Sequence, residues 1–388
     1  MREYLPGFRL HDPVAAAQAT ARDLVTHRTG LPRHDLLWLD SSLSRRQMYE
    51  RLRYLEPSKP FRSAFQYNNL MFMTAGILAE TLGGASWEDL VRKRLLEPLE
   101  MTRANFSVRD SLQSEDYAHT YGVDRAGEIP LRNIDAIGPA GSINSTLEEM
   151  TRYLLLHLNS GNSGGKQILP AIHFERMRTP QVVTPPGGIG PELLGQSFYG
   201  MGLVVSTYRG HPLVWHTGTI GGYHALLTFL PAERAGVMIL QNRVVRAIPQ
   251  ILSWRIYDLL LGLTPVAWNK PFQDEESKRR QEEAKARKEA ESKRKAGANP
   301  SHPLADYAAR YQHPAYGTVT VAVEGDRLRW KLNGQEAREL KHFHYDIFEA
   351  EGQKVSFLGN LDGEIDQVAV RLEPAVREIV FTRVPVPK

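Results

Sequence analysis

The feature that most constrains the fold is a segment, residues 273–298, made almost entirely of charged residues and alanine. Several acids in it precede a base by four residues, a spacing that stabilises an isolated helix. Because this segment has no apolar face to bury, the sequence predicts a solvated helical spacer. The spacer divides the chain into a first domain at 1–271, a charged helical linker at 272–300 and a second domain at 301–388.

The first domain begins with helical patterns and ends with strands. Helices are predicted at 70–81 and after the capping residues Ser86 and Thr146. From about residue 197, short β-rich runs bounded by turn residues replace the helical pattern, and a last helix is predicted at 248–261. This order predicts an α+β fold in which helices pack on one antiparallel sheet.

The second domain carries only strand patterns. Val319, Val321 and Val323 alternate with polar residues, and the pairs Asn333-Gly334 and Asp362-Gly363 are typical of hairpin turns. About seven or eight short strands in this length predict a small antiparallel barrel that is closed or nearly closed. Its interior is either filled with side chains or binds a small apolar ligand, and its outer surface can mediate assembly into a homo-oligomer.

Composition excludes several classes of protein. The sequence contains no cysteine, which excludes disulfides, thiolate metal sites and a cysteine nucleophile. A net charge of +4 without a long block of one sign argues against a nucleic-acid partner. No apolar run is long enough to predict a transmembrane span. The first residues lack the basic and apolar regions of a signal peptide, and the localisation stays unknown, because a longer N-terminus would be compatible with a periplasmic or secreted protein.

No cofactor is expected. His27 and His34 are the histidines closest to the N-terminal turns, and their neighbours lack metal-ligand spacing. We expect both to be structural histidines with satisfied hydrogen bonds. Nothing else in the sequence calls for a metal ion or an organic cofactor.

Tyr67 and Asn69 are the first candidate site residues. They lie one residue apart on a loop that enters the helix predicted at 70–81. A phenol there can relay a proton, and an amide can hold a substrate carbonyl. The alternative is structural, because asparagine at a helix start is often an N-cap and a preceding tyrosine is often a core residue.

The second candidate motif is His216-Thr217-Gly218-Thr219, about 150 residues later at the end of a predicted strand. Gly218 has no side chain, so a substrate can lie alongside and bond to the main chain. The N–H group of Thr219 can donate to a developing oxyanion. The alternative is an ordinary strand followed by a glycine-rich turn.

Together, the two motifs resemble the second and third motifs of the β-lactamase and penicillin-binding-protein superfamily, and most closely its class C β-lactamase-related serine hydrolases. Three further segments share this resemblance: LVTHRTGLP at 24–32, EPLEMT at 97–102 and PAGSINS at 139–145. The resemblance covers residues 1–264, and the remainder resembles the lipocalin-like C-terminal domain of some members.

This resemblance implies a peptidase or esterase that acts through an acyl-enzyme on a small-molecule or peptide substrate containing a peptide, amide or ester bond. It implies that Tyr67 is the proton relay and that Asn69 binds the substrate amide. His216 and Thr217 would line the pocket, and the Thr219 N–H would form half of the oxyanion hole.

The sequence departs from the family where the nucleophile is expected. In the family, a Ser-x-x-Lys motif at a helix start precedes the segment matched at 24–32, and no serine precedes that segment here. Two other matches to the spacing, at 163–166 and 292–295, lie in a glycine-rich loop and in the charged segment.

We therefore expect a chain that is N-terminally truncated, lacks the nucleophile segment and is inactive as given. The alternative is a non-catalytic remnant or ligand-binding protein of the same fold. An incomplete first domain is also expected to leave an exposed sheet edge, with low solubility and stability.

A second departure is His216, at a position where β-lactamases usually have lysine. Imidazole is mostly neutral at pH 7 and anchors a carboxylate less well than an ammonium group. We expect ester or peptide hydrolysis with weak or no β-lactamase activity.

Overall fold

The computed structural model describes residues 1–39, 41–122, 127–185, 194–245 and 247–385. The helices are α1 (Pro13–Gln18), α2 (Ala21–Val25), α3 (Arg45–Arg51), α4 (Asn69–Gly83), α5 (Trp87–Val91), α6 (Val108–Ser111), α7 (Leu147–Leu158), α8 (Ala171–Arg178), α9 (Ala247–Leu260), α10 (Asn269–Ser292) and α11 (Leu304–Tyr307). Short 3₁₀ segments lie at Asp35–Leu37, Leu52–Tyr54 and Asp135–Ala140, and a π-helical turn lies at Arg92–Leu96.

The strands of the first domain are β1 (Asn162–Ser163), β2 (Lys166–Gln167), β3 (Val182–Val183), β4 (Phe198–Tyr199), β5 (Val204–Tyr208), β6 (His211–Ile220), β7 (Tyr223–Leu230) and β8 (Ala235–Gln241). The strands of the second domain are β9 (Ala309–His313), β10 (Gly317–Glu324), β11 (Arg327–Leu332), β12 (Arg338–His344), β13 (Ile347–Ala350), β14 (Gln353–Gly359), β15 (Ile365–Val370) and β16 (Ile379–Arg383).

Strands β3 to β8 form one antiparallel sheet in sequential order. Helix α7 packs on it through Leu154, which joins a cluster with Val214 and Phe229. Helix α9 packs on it through Trp254 and Tyr257, which join a second cluster with Tyr208 and Leu213. Because successive strand residues point to opposite faces, Leu213 and Val214 bring these two clusters to the two sides of the sheet. The predicted α+β architecture is confirmed.

One edge of this sheet is formed by β8, which pairs only with β7 among the described strands. Most residues of β8 are half-buried, so an exposed sheet edge stays a prediction. Helix α9 also carries apolar side chains that face solvent, since Ile248, Leu252 and Leu259 are 44%, 48% and 65% exposed. Both features are consistent with low solubility, which stays a prediction.

The second domain is a closed barrel of strands β9 to β16. Its buried aromatic rings pack against one another, with centroids 4.9 Å apart for Tyr307 and Phe357 and 5.5 Å apart for Phe348 and Phe357. Val319 and Phe381 are fully buried in the same cluster. The predicted small antiparallel barrel is confirmed, and these rings favour an interior filled with side chains over a ligand cavity.

The charged helix α10 is exposed along its length and carries ion pairs such as Arg279–Glu283 at 3.0 Å. The barrel, however, folds back onto the N-terminal residues, and buried residues of both domains belong to one continuous cluster. Arg377 pairs with Glu56 at 2.6 Å, and the guanidinium of Arg51 donates to the carbonyl of Ala315 at 2.7 Å. The sequence predicts a spacer between domains, and the structure adds a packed contact between them.

A buried carboxylate orients the loop that precedes Tyr67. Asp23 accepts two hydrogen bonds from Arg62, at 2.7 and 2.9 Å, one from Arg28 at 3.2 Å and one from the Thr20 hydroxyl at 2.7 Å. Burial raises the pKa of Asp23, but the bonds from Arg62 and Thr20 outweigh it and lower that pKa to about 2. The ionised carboxylate therefore stabilises the folded chain.

This pKa predicts a loss of stability in acid. The contribution of Asp23 is fully present above its unfolded pKa, near 4, and is lost as the pH falls toward 2. Asp23→Asn is expected to lower the free energy of unfolding at pH 7 by about 1–2 kcal/mol, allowing for solvent around Arg62, and to flatten its pH dependence below pH 4. Urea unfolding from pH 2.5 to 7 measures both. Equal slopes in the two proteins would contradict this assignment.

Candidate active site

The loop that carries Tyr67 is fixed by the residue between the two predicted site residues. Asn68 is the N-cap of α4, since its side-chain oxygen accepts the Met71 N–H at 3.0 Å. Its own N–H donates to His27 Nδ1 at 3.0 Å, and its amide nitrogen donates to the Pro32 carbonyl. Asn69 is therefore released from capping: its partly exposed side chain makes one long contact, 3.4 Å from its nitrogen to Asp35.

Tyr67 lies at the centre of a cluster of rings. The centroid of its ring is 4.3 Å from that of His27 and 6.3 Å from that of His216, which is stacked with it at 29°. The guanidinium carbon of Arg33 lies 4.8 Å from the Tyr67 centroid. The structure thus brings the two sequence motifs together around the Tyr67 ring.

The phenol of Tyr67 is protonated in the resting site. Burial raises its pKa, and Arg33 opposes this while Asp35 adds to it. Its hydroxyl makes no hydrogen bond to any other described residue. It is available to donate to a substrate atom.

Strand β6 presents an open edge at the second motif. Its pairing with β5 stops at Trp215, whereas its pairing with β7 continues to Ile220. The strand therefore runs past its predicted end, and residues 216–220 are paired on one side only within the described sheet. Gly218 is exposed, and a Cβ built on it would meet nothing within 4 Å.

The turn after β6 sets the direction of the main-chain groups. Gly221 and Gly222 have φ of +52° and +90°, which suits a two-residue hairpin turn flanked by the pair Ile220–Tyr223. Hydrogen-bonded and non-hydrogen-bonded pairs alternate along an antiparallel ladder. If Ile220 bonds across the turn, the N–H of Thr219 points away from β7, toward the open edge.

His216 is neutral at physiological pH. Its Nε2 accepts a hydrogen bond from the hydroxyl of Tyr199 at 3.1 Å. Burial lowers the pKa of His216, and a backbone hydrogen bond to Thr217 opposes this in part. Burial also holds the pKa of Tyr199 well above its usual value. The strand thus presents an uncharged, hydrogen-bonded imidazole beside the Tyr67 ring.

The sequence predicts that His27 is a structural histidine with satisfied hydrogen bonds. In the structure only one of its two ring nitrogens has a hydrogen-bond partner among the described residues. It is fully buried with a left-handed φ of +56°, and its Nδ1 accepts the Asn68 N–H. Its proton therefore lies on Nε2, which has no hydrogen-bond partner in the described part of the chain. His34, by contrast, has partners for both ring nitrogens.

His27 is predicted to stay neutral throughout the physiological range. Burial lowers its pKa to about 3, with smaller effects from His216 and Arg33. We expect ¹⁵N NMR to show the Nε2–H tautomer without titration above about pH 5. A midpoint near 6.5, the value of a free imidazole, would contradict the packing described for this ring.

Sequence reasoning missed three members of the cluster: His27, Arg33 and Tyr199. His27 lies inside the segment at 24–32, which carries part of the family resemblance, and this position could have indicated that it is near the site. Arg33 follows the same segment directly. Tyr199 is on the two-residue strand β4, and no motif points to it.

Neither match to Ser-x-x-Lys is a helical turn that starts a helix. Ser163 and Lys166 lie on β1 and β2, which pair across a glycine turn. Ser292 is the last residue of α10, and Lys295 lies beyond it. No serine among the described residues is hydrogen-bonded to Tyr67 or His216.

The described residues offer neither a metal site nor a membrane-spanning helix. They contain no group of three or more histidine, aspartate or glutamate side chains placed to hold a metal ion. None of their helices combines the length and the apolar character that crossing a membrane requires.

Comparison with known families agrees with this geometry. The family model described as "Beta-lactamase" matches residues 1–259, two thirds of the chain. The chain belongs to the β-lactamase family. A second model, a domain of unknown function (DUF3471), matches residues 293–383 and so includes the whole barrel. The predicted resemblance to the β-lactamase and penicillin-binding-protein superfamily is confirmed.

Relatives of this β-lactamase family member include two fungal enzymes. It is 26% identical to the unguisins hydrolase ungD′ of Aspergillus campestris over 79% of this chain and 59% of that protein. It is 24% identical to the unguisins hydrolase ungD of Aspergillus violaceofuscus over 82% of this chain and 60% of that protein. The chain thus spans about 60% of the length of these two hydrolases.

A solved structure shares the fold over nearly the whole chain. It is the octameric penicillin-binding protein homologue from Pyrococcus abyssi, with a TM-score of 0.54 and 20% identity, covering 98% of this chain and 84% of that one. This likeness supports the arrangement of a β-lactamase-like domain followed by a barrel.

Proposed function

We propose that the region between Tyr67 and the open edge of strand β6 is the acyl-transfer site of a serine hydrolase that cleaves a peptide, amide or ester bond. The observation that carries this proposal is the 6.3 Å stacking of Tyr67 on His216, beside the open edge at 216–220. Membership of the β-lactamase family and the two relatives named as hydrolases support it.

Each residue has a chemical role in this proposal. A substrate lies along the open edge, and its amide binds the side chain of Asn69. The N–H of Thr219 donates to the carbonyl oxygen as it becomes an oxyanion. Tyr67 passes its proton to the leaving group as it accepts the proton of the attacking serine, which a protonated phenol can do without ionising first.

The nucleophile in this proposal is the serine of a Ser-x-x-Lys motif. Because no described serine is hydrogen-bonded to Tyr67 or His216, and neither match to Ser-x-x-Lys begins a helix, we propose that the 388-residue chain does not form an acyl-enzyme on its own. Reading the DNA upstream of the Met1 codon for an in-frame Ser-x-x-Lys is the first test. The second is p-nitrophenyl ester hydrolysis, for which we expect no turnover by this chain and turnover by any longer form that carries the motif.

A second candidate function is ligand binding without catalysis. It is favoured because no serine among the described residues is hydrogen-bonded to Tyr67. If no form of the protein hydrolyses an ester or an amide, and the upstream DNA contains no Ser-x-x-Lys, the binding function replaces the hydrolase.

The neutral His216 predicts a preference among substrates. β-Lactams carry a carboxylate that an ammonium group on this strand would bind, whereas esters and peptide amides do not need that charge. For a form with the nucleophile, we expect kcat/KM for nitrocefin at least about tenfold below that for a neutral ester. Faster turnover of nitrocefin would contradict the role given to His216.

Three finer assignments complete the proposal. We place the first domain in the class C β-lactamase-related branch and treat the barrel as lipocalin-like, with domains at 1–271 and 301–388 joined by the linker at 272–300. We also propose a homo-oligomer formed through the barrel, which the octameric state in the name of the Pyrococcus abyssi homologue supports. Light scattering of the full chain is expected to give a multiple of 43.8 kDa, and a monomer would contradict it.

A further inference from the structure

Three consecutive residues join the barrel to the loop that carries Tyr67. Arg33, His34 and Asp35, here named the bridge segment, lie between the LVTHRTGLP motif and the 3₁₀ turn that starts at Asp35. Its middle residue is bound by the barrel, while its two flanking residues contact Tyr67 and Asn69. We propose that the C-terminal barrel positions the catalytic loop through this segment, with His34 as the positioning residue. This inference rests on the proposed function only where it calls the loop catalytic. The contacts between the barrel, the bridge segment and the loop do not depend on that function.

His34 is fully buried and completely hydrogen-bonded. Its Nε2 lies 2.9 Å from the carbonyl of Glu56, which can only accept, so this nitrogen carries the proton. Its Nδ1 must then accept from the hydroxyl of Tyr316, at 2.7 Å. Its main-chain N–H donates to the buried carboxylate of Glu373 at 2.7 Å. Tyr316 and Glu373 both belong to the barrel domain, and both bonds are out of reach of water.

The backbone of His34 shows why these bonds matter. It is left-handed, with φ of +48° and ψ of +36°, a conformation that is strained for a residue with a side chain. Such a residue keeps this conformation only where its surroundings fix it. The contacts with Tyr316, Glu373 and Glu56 provide that support, so the turn of the bridge segment depends in part on the barrel.

The flanking side chains transmit the turn to Tyr67 and Asn69. The guanidinium of Arg33 lies over the Tyr67 ring at 4.8 Å and pairs with Asp35 at 2.5 Å. Asp35 accepts from the Trp38 indole N–H at 3.0 Å and from the Asn69 amide at 3.4 Å. If His34 leaves its left-handed conformation, Arg33 and Asp35 move, and both proposed site residues lose a neighbour.

Residues that come just before the bridge segment hold the main chain of the loop. The Asn68 side chain donates to the Pro32 carbonyl, next to the bridge segment, while the N–H groups of Asn68 and Gln66 donate to His27. The Gln66 and Asn68 amides therefore report on the position of the loop through hydrogen exchange, which requires neither substrate nor nucleophile.

The test compares barrel variants by hydrogen exchange of the Gln66 and Asn68 amides in the full chain. Tyr316→Phe removes the donor to His34, and Glu373→Ala removes the acceptor of its main-chain N–H. We expect each to speed exchange of these two amides about tenfold. Glu373→Gln keeps an oxygen acceptor and is expected to restore slow exchange.

Tyr307→Phe is the matched control, because it removes a buried barrel phenol that bonds to Asp346 instead. It is expected to leave exchange of the Gln66 and Asn68 amides unchanged, even where it lowers the Tm. Unchanged exchange in Glu373→Ala and Tyr316→Phe, with a lower Tm, would overturn the proposal and leave these residues a structural role only. If Tyr316→Phe does not fold, the comparison of Glu373→Ala with Glu373→Gln decides the matter.

Kinetics separate this inference from the proposed function. In a form that hydrolyses esters, Tyr316→Phe is expected to lower kcat more than it changes KM, because a displaced Tyr67 relays the proton less well. Faster exchange in the variants of a protein without any hydrolase activity would sustain the positioning role and reject the proposed function. Unchanged exchange in the variants of an active hydrolase would reject the positioning role and sustain the proposed function.

Discussion

Tyr67→Phe is expected to lower kcat for ester hydrolysis by about 10²–10⁴-fold in the form of the protein that carries the nucleophile. The substitution removes one hydroxyl and keeps the ring, which packs at a tilt on His27 and is stacked with His216, with centroids 4.3 and 6.3 Å away. Packing around the ring is therefore expected to survive. What is lost is the proton relay, since the described residues offer no second unengaged phenol in this cluster: the hydroxyl of Tyr199 already donates to His216.

The matched control is Tyr345→Phe, which removes a phenol that is exposed on the barrel. Its kcat is expected to equal that of the unmodified protein. Steady-state kinetics with a p-nitrophenyl ester measures both variants. A decrease of less than tenfold in Tyr67→Phe would show that proton transfer does not pass through this residue.

Asp258→Ala is expected to lower the free energy of unfolding by about 3–5 kcal/mol. Asp258 is 1% exposed and accepts from Tyr208 at 2.7 Å, from Arg209 at 2.6 Å and from the Trp268 indole at 3.0 Å. Burial raises its pKa, but these three bonds outweigh burial and lower it. Removing the carboxylate leaves the Trp268 indole N–H without its acceptor. Among the described residues, Tyr208 and Arg209 lose a charged acceptor and keep only the carbonyls of Trp254 and Thr264.

Urea denaturation with fluorescence detection measures this loss. Asp274→Ala is the control, because Asp274 pairs with Lys270 on the exposed helix α10 at 3.0 Å, where an ion pair contributes at most about 1 kcal/mol. A loss below about 1 kcal/mol in Asp258→Ala would mean that the buried network adds little to the stability of the sheet.

Local signals predicted most of the elements. The N-caps Ser86 and Thr146 accept the N–H groups of Asp89 and Glu149, as their spacing predicts. The alternating valines of β10 predicted a barrel strand, and the charged segment predicted a solvated helix, because both patterns depend on neighbouring residues alone. The N-cap that the sequence analysis gave as the structural alternative for Asn69 is its neighbour, because the contact with Met71 selects Asn68.

The rest depends on contacts that no local pattern encodes. The bond between His34 and Tyr316 joins residues 282 positions apart, and the bond between Tyr199 and His216 begins on a strand of two residues. The convergence of Tyr67 and His216 was predicted only through the family resemblance. Docking of the barrel on the bridge segment had no sequence signal.

Labelling with a fluorophosphonate, followed by peptide mapping, tests the central claim most directly. We predict that the 388-residue chain is not labelled. A longer form carrying Ser-x-x-Lys is predicted to be labelled on that serine, at least about 100-fold more slowly after Tyr67→Phe and at an unchanged rate after Tyr345→Phe. Labelling at another serine, labelling that does not depend on Tyr67, or an absence of labelling in every form would contradict an acyl-transfer site between Tyr67 and strand β6.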